Sequence, residues 1–144
     1  MEVLVPKLVR RLAVCGALVV GAALAPAAVA SAETVIPFQF NPAPYGNSSG
    51  SFDSPPASCV VVVGEQPGVA KVTVAPNATT NCYLISEIRW LNLSTGASGS
   101  ARLSDGVGGI PTQAILQSGP GQVALIGIPD SITTVPGFAT FYVP

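Results

Sequence analysis

The residue types that carry hydrolytic chemistry are scarce in this sequence, and those present sit in unpromising places. Gly46-Asn47-Ser48-Ser49-Gly50 spells the G-x-S-x-G of a nucleophile elbow. That motif works only on a tight strand-to-helix turn, with a histidine at hand to take the serine proton. The chain contains no histidine, and the five residues lie in a stretch crowded with Pro, Ser and Gly, so they read as a flexible loop. Paired carboxylates could cleave a glycosidic bond without histidine. However, Asp53, Asp105 and Asp130 stand beside Ser-Pro, Gly and Pro, where an aspartate ordinarily caps its own backbone. Glu87 and Arg89 fall on one side of a strand and read as an ion pair. Asp105-Gly106-Val107-Gly108-Gly109 is glycine-rich but has no phosphate-loop spacing and no lysine after it. The residues therefore predict no enzyme, no catalytic set and no cofactor; a glycan-cleaving pair of acids is the remote alternative.

These side chains must be placed by whatever part of the chain folds, and the first 32 residues are expected to be an address label instead. Lys7, Arg10 and Arg11 form a basic start, Leu12 to Leu24 carries no charge, and Pro26 precedes Ala30-Ser31-Ala32. A basic segment, an apolar core and an A-x-A site predict a helical secretory signal peptide, cut between Ala32 and Glu33. A retained anchor would want roughly 20 consecutive apolar residues. A lipoprotein reading of Cys15 suffers from the bulk of Val14, and a twin-arginine reading of Arg10-Arg11 lacks the flanking residues. Contact with the membrane is accordingly predicted only in transit.

Removing 32 of the 144 residues leaves 112, enough for one domain, residues 33–144. Three basic side chains, Lys71, Arg89 and Arg102, then face six acids, a formal balance of −3. That argues against nucleic acid, which calls for a clustered basic surface, and against docking on anionic lipid. Cys59 and Cys82 survive cleavage. In an exported chain an even pair reads as a disulfide. A metal site lacks partners, with no histidine and no C-x-x-C, and two reduced buried thiols are the other alternative. Asn47, Asn77 and Asn92 head N-glycosylation triplets. The Ala/Val/Gly/Pro-heavy composition looks bacterial, and the three are expected to stay unmodified.

Beyond the leader, short runs rich in Val, Ile, Thr, Phe and Tyr alternate with Gly, Pro, Asn and Ser clusters, the signature of strands and turns. Residues 35–40 predict an edge strand, because Pro37 cannot donate a ladder hydrogen bond, and residues 41–58 a long irregular loop. Cys59 to Val63 predicts a strand buried on both faces. Val69 to Ala75 alternates, as a half-wet strand does. Cys82 to Leu93 and Ser98 to Ser104 predict a hairpin joined through residues 94–97. A second hairpin is predicted from Gln113–Gln117 and Gln122–Ile128, with the turn at 118–121, and a last strand from Phe138 to Val143. Seven or eight strands at this spacing predict an all-β fold, a small antiparallel β-sandwich of Ig-like architecture or a barrel. The order Cys, Cys, Trp departs from the Cys…Trp…Cys of true immunoglobulin domains. Trp90 is expected to be the core's largest filler, with stacking on a sugar as the alternative.

The block Trp90-Leu91-Asn92-Leu93-Ser94-Thr95-Gly96-Ala97-Ser98-Gly99-Ser100, then Gln117-Ser118-Gly119-Pro120-Gly121-Gln122-Val123 and the ending Val135 to Pro144, resembles small secreted β-rich envelope proteins of high-GC Gram-positive bacteria. The resemblance covers roughly the C-terminal half. It implies a location in the envelope, on the cell wall or in the medium, and carries over no catalytic residue. The expectation is a non-enzymatic extracellular module that binds an envelope polymer or another protein. Its predicted contact regions are the 41–58 and 105–112 loops, with Tyr45, Phe52 and Trp90 as candidate ligand contacts. The alternative is a homo-oligomer, a self-associating structural or pore-forming protein, since only 9% of residues are charged and apolar edges invite pairing.

Overall fold

Valine-rich and alternating runs become strands because β-branched side chains pack well on a pleated surface and lose little there. The computed structural model describes residues 32–44 and 55–144. The leader up to residue 31, the loop aromatics Tyr45 and Phe52 and the 46–50 motif lie outside the described residues. Among the described residues ten strands follow one another, all within one compact unit. They are β1 (Thr34–Pro37), β2 (Ala43–Pro44), β3 (Cys59–Val63), β4 (Ala70–Val74), β5 (Ile85–Asn92), β6 (Ser98–Arg102), β7 (Gln113–Leu116), β8 (Gly121–Pro129), β9 (Thr134–Val135) and β10 (Gly137–Val143). The helical content among the described residues is one 3-10 turn at Val107–Gly109, and no helix there is long and apolar enough to cross a membrane.

Two four-stranded antiparallel sheets carry the fold, ordered β1-β3-β4-β7 and β10-β8-β5-β6, with a small β2-β9 ribbon beside them. Their inner faces share one core. Cys59, Val61, Val72 and Leu116 come from the first sheet, and Ile88, Val123, Leu125 and Phe141 from the second. With β1 set aside, β3-β4-β7 over β6-β5-β8-β10 is the A-B-E and C′-C-F-G order of an immunoglobulin-type sandwich. The structure thus decides between sandwich and barrel. β3 is buried along its whole length, including Val60 and Val62, which alternate away from the shared core.

Three predicted features change. Residues 43–44 are not irregular: they pair with β9, Ala43 opposite Val135. The flanking Pro42 and the strand's own Pro44 hold φ in the extended range, which suits a short added rung. The first hairpin arm begins at Ile85 and not at Cys82, because Leu84 adopts φ 72° and a register shift follows between Ile85 and Glu87. The predicted second hairpin does not exist. β7 pairs with β4 and β8 with β5 and β10, so residues 117–120 arch from one sheet to the other.

The N-terminal segment bridges both sheets. β1 lies on the edge of the first, Phe38 enters the core, and Phe40 exchanges two backbone hydrogen bonds with Phe138 at the edge of the second. The Gln39 side-chain carbonyl accepts the Thr140 N–H at 2.6 Å, filling a ladder position that would otherwise be open. Cys59 and Cys82 form a buried disulfide with Cα atoms 4.7 Å apart, tying the start of β3 to the β4–β5 connection. Its place differs from the B–F bridge of antibody domains. Closing 23 residues is worth about 3 kcal/mol in the chain-entropy picture.

Candidate functional site

Four of the acids that could do acid–base work, Asp105, Asp130, Glu65 and Glu87, are engaged with other groups of the chain, and Asp53 lies outside the described residues. Asp105 Oδ1 accepts the Val107 N–H at 3.0 Å, the backbone capping its sequence position predicts. Asp130 accepts the Ser86 hydroxyl across the end of β5. Glu65 pairs with Lys71. Glu87 Oε1 accepts from Arg89 Nε at 2.8 Å. That hydrogen bond, and secondarily the negative charge of Glu87, raises the Arg89 pKa above its ordinary value. Ala32 and Glu33 are exposed at the start of the described chain.

A cleft of about 230 Å³ opens beside the disulfide, between Asn81, Ser86, Ser104, Asp105 and Thr112. It falls short of the roughly 300–1,000 Å³ of ordinary small-molecule sites, and its polar side chains already have partners within the chain. Asn81 Nδ2 donates to Thr112 Oγ1 at 3.3 Å, and Ser104 Oγ accepts the Gln113 N–H at 2.9 Å. Among the described residues no cluster of three or more His, Cys, Asp or Glu could hold a metal.

Trp90 points inward with Ile88 and Asn92 and packs against the core. Its indole lies across β6 at Gly99, where a Cβ would stand 2.7 Å from Cζ2; glycine is what admits the ring. It occupies the strand equivalent to C, where immunoglobulin domains keep their tryptophan. The 105–112 loop exposes Val107 and Ile110. Of the other predicted contacts, Tyr45 and Phe52 lie outside the described residues.

What the structure does assemble is the outer face of the second sheet. In β10 the inward positions are Ala139, Phe141 and Val143, which leaves Phe138, Thr140 and Tyr142 outside. Register then builds rows across the sheet. Phe138 neighbours Ile126, which neighbours Arg89 and then Ser100; Thr140 neighbours Ala124, Leu91 and Ser98. Tyr142 pairs with Gln122, whose carbonyl accepts the Leu93 N–H at 2.7 Å. Phe40 extends the first row, its ring centroid 6.4 Å from that of Phe138. Phe40 is 65% exposed, Tyr142 61%, Leu91 43% and Ile126 40%. Single exposed apolar residues are ordinary; here Phe40, Phe138 and Ile126 neighbour one another along one row, with Leu91 in the next. The ion pair Glu87–Arg89, Arg102 opposite Glu87, and the small hydroxyls of Ser98 and Ser100 border it on the β6 side.

Sequence reasoning missed this face. Its signal was present in Phe138-Ala139-Thr140-Phe141-Tyr142-Val143, where both alternating sets carry large rings, so one ring set had to be left outside. It also missed the role of Asn92, which is fully buried. Asn92 Nδ2 donates to the carbonyls of Ser118 at 2.9 Å and Pro120 at 3.0 Å, and Oδ1 accepts the N–H groups of Ser94 at 2.9 Å and Thr95 at 3.1 Å. One amide thus welds the β5–β6 turn to the β7–β8 arch. Gly121, at φ 127°, passes so close that a Cβ would stand 3.0 Å from Asn92 Oδ1 and 2.7 Å from Ser94 Cβ. Fold and face together define an immunoglobulin-type sandwich with one sheet's outer surface left apolar. No protein-family model, curated protein or solved structure matches the chain.

Proposed function

We propose that this protein is an exported, non-enzymatic module that works by surface contact, and that the outer face of β10-β8-β5-β6 is its contact surface. The observation that carries the reading is the in-register apolar patch of Phe40, Phe138, Ile126, Leu91 and Tyr142. Leaving that much apolar surface in water costs solubility, so it is retained where something covers it. Export is supported by the leader pattern and by the buried Cys59–Cys82 bridge, which suits an oxidising compartment. The engagement of Asp105, Asp130, Glu65 and Glu87 with donors of this same chain supports the non-enzymatic part.

The test is site-specific photo-crosslinking in producing cells. A photoreactive phenylalanine analogue at position 142 is expected to yield adducts, whatever the partner. The same group at position 73, outward on the first sheet, is expected to yield none. Equal adduct formation at both positions, or none at 142, would remove the face as the contact surface. The intact mass of the native protein checks the rest, with cleavage after Ala32 and an oxidised cysteine pair expected.

A further inference from the structure

We infer that the outer edge of β6 is where two copies of the chain join, strand to strand and antiparallel, about a twofold axis at Ser100. This goes beyond the contact-face reading and stands without it. In an antiparallel ladder alternate residues turn their N–H and C=O toward the neighbouring strand, and the residues between turn theirs away. The bonds from Asn92 N–H to the Ala97 carbonyl and from Leu103 N–H to the Ser86 carbonyl set Ala97, Gly99, Ala101 and Leu103 toward β5. Ser98, Ser100 and Arg102 therefore turn their backbone outward. All three are exposed, and no described residue bonds to those outward groups.

The other three sheet edges are largely closed. Gln39 closes two of them with one amide: Oε1 accepts the Thr140 N–H on β10, and Nε2 donates to the Pro37 carbonyl on β1 at 3.3 Å. Pro37 has no N–H to offer, and Phe138 on β10 already exchanges bonds with Phe40. On β7 the Gln113 N–H and C=O are both held by Ser104, at 2.9 and 3.0 Å. Among the described residues, β1, β10 and β7 each keep one strand residue with both groups outward, Val35, Tyr142 and Ile115. β6 keeps three in succession. Sheets guard such an edge with proline, charge or a covering segment; β6 has no proline, and its one charge, Arg102, lies at its end.

Side chains select the occupant. A foreign strand added to an edge is recognised through pockets for its alternate side chains, and Ser98-Gly99-Ser100-Ala101 is too small to form them. A second β6 needs no pocket, because a twofold axis matches the edge to itself. Centred at Ser100, the pairing sets Ser100 against Ser100 and Ser98 against Arg102, each pair exchanging two hydrogen bonds. The small Gly99 and Ala101 then lie opposite each other. Glu87 and Arg89 stay paired within their own copy, and Arg102 stands between Glu87 of its own sheet and Ser98 of the second copy. The two Arg102 residues are four positions apart along the joint, roughly 13 Å, beyond the ~8 Å screening length at physiological salt. A register centred on Arg102 would set them against each other. One open edge per copy also ends the assembly at two, with the outer faces side by side on one continuous sheet and Gln39 and Phe40 at both far edges.

Disulfide trapping on the purified protein tests the register, with the wild type under the same mild oxidation as background. Ser100→Cys is expected to give a disulfide-linked dimer, since paired Cα atoms stand about 5.5 Å apart, within reach of a bridge. Ser98→Cys alone and Arg102→Cys alone are each expected to give about a tenth as much or less, while the two mixed form the mixed dimer. Sedimentation equilibrium is expected to show the wild type associating. Ser100→Lys places like charges across the axis and should weaken association about tenfold or more. Its urea midpoint should not change, because the Ser100 backbone faces away from β5, and that separates loss of contact from loss of fold. A wild type still monomeric at about 1 mM overturns the inference. So do Ser100→Cys dimers no more abundant than the background, or Ser98→Cys dimers equal to those of Ser100→Cys.

Discussion

Leu91 and Asn92 are neighbours on β5, yet each sits where the other's chemistry would ordinarily belong. Asn92 is polar and fully buried; Leu91 is apolar and 43% exposed. The difference lies in what each has for company. Asn92 has every hydrogen-bonding group of its amide committed to backbone of two separate turns, so its burial is closed and its role is architectural. A buried amide of this kind specifies one arrangement, because any other leaves donors and acceptors unpaired in a poor solvent. Leu91 has apolar neighbours within its own sheet face and water above them. Its free energy is improved only by something arriving from outside. One residue apart, the strand switches from holding the fold to presenting it.

The comparison can be broken most forcefully at Asn92. Asn92→Leu keeps the branching at Cγ, adds bulk, and leaves the Ser118 and Pro120 carbonyls and the Ser94 and Thr95 N–H groups without their partner; about 3–5 kcal/mol of unfolding free energy should be lost in urea titration. Asn92→Asp should not rescue it, since a carboxylate would replace the donor amide facing those carbonyls. If either variant unfolds like the wild type, the amide is not the weld described here. Next in size, reducing the Cys59–Cys82 bridge, or replacing both cysteines by serine, should cost about 3 kcal/mol by the same measurement.

A smaller effect is expected at Gly99. Gly99→Val puts a side chain into the indole of Trp90, at a position where even a Cβ stands 2.7 Å away. It should cost about 1–3 kcal/mol and shift the Trp90 fluorescence as the ring is displaced. The smallest stability change belongs to Leu91→Ser, about 0.5 kcal/mol or less, yet that variant should lose the adducts that a photoreactive group at position 142 forms in producing cells. Ile115→Ser, exposed on the other sheet, should leave both measurements alone. A Leu91 variant that unfolds easily but still forms those adducts would invert the assignment of roles along β5.

Much of the framework was legible in the residues. Alternation placed β4 and β6 and separated Gly99 and Ala101 from Ser98, Ser100 and Arg102, and the run Phe138 to Val143 placed β10. An even cysteine pair with no metal partners pointed to the bridge the structure contains. Glu87 and Arg89, two residues apart on one strand, pair as their spacing requires. The β7–β8 connection misled because Ser118-Gly119-Pro120-Gly121 has the composition of a hairpin turn, whereas what bends it is a side chain from a strand 26 residues away. The same distance hid Asn92, whose triplet looked like a glycosylation motif.

Period-two alternation is a relation between a residue and its next neighbour but one, so residues 138–143 declare two faces without any help from the rest of the chain. Turn formers and cysteines are equally local or combinatorial signals, and they set the strand inventory, the bridge and the charge balance. Which of the two faces turns inward is a different kind of question. Its answer depends on the sheet that lies across, on the register linking Phe138 to Ile126 to Arg89, and on the edge that Phe40 reaches from nearly a hundred residues earlier. Those are contacts between distant parts of the chain, and their energies are summed only once the two sheets have closed on each other. The contact face therefore exists in the fold and nowhere in the order of the letters.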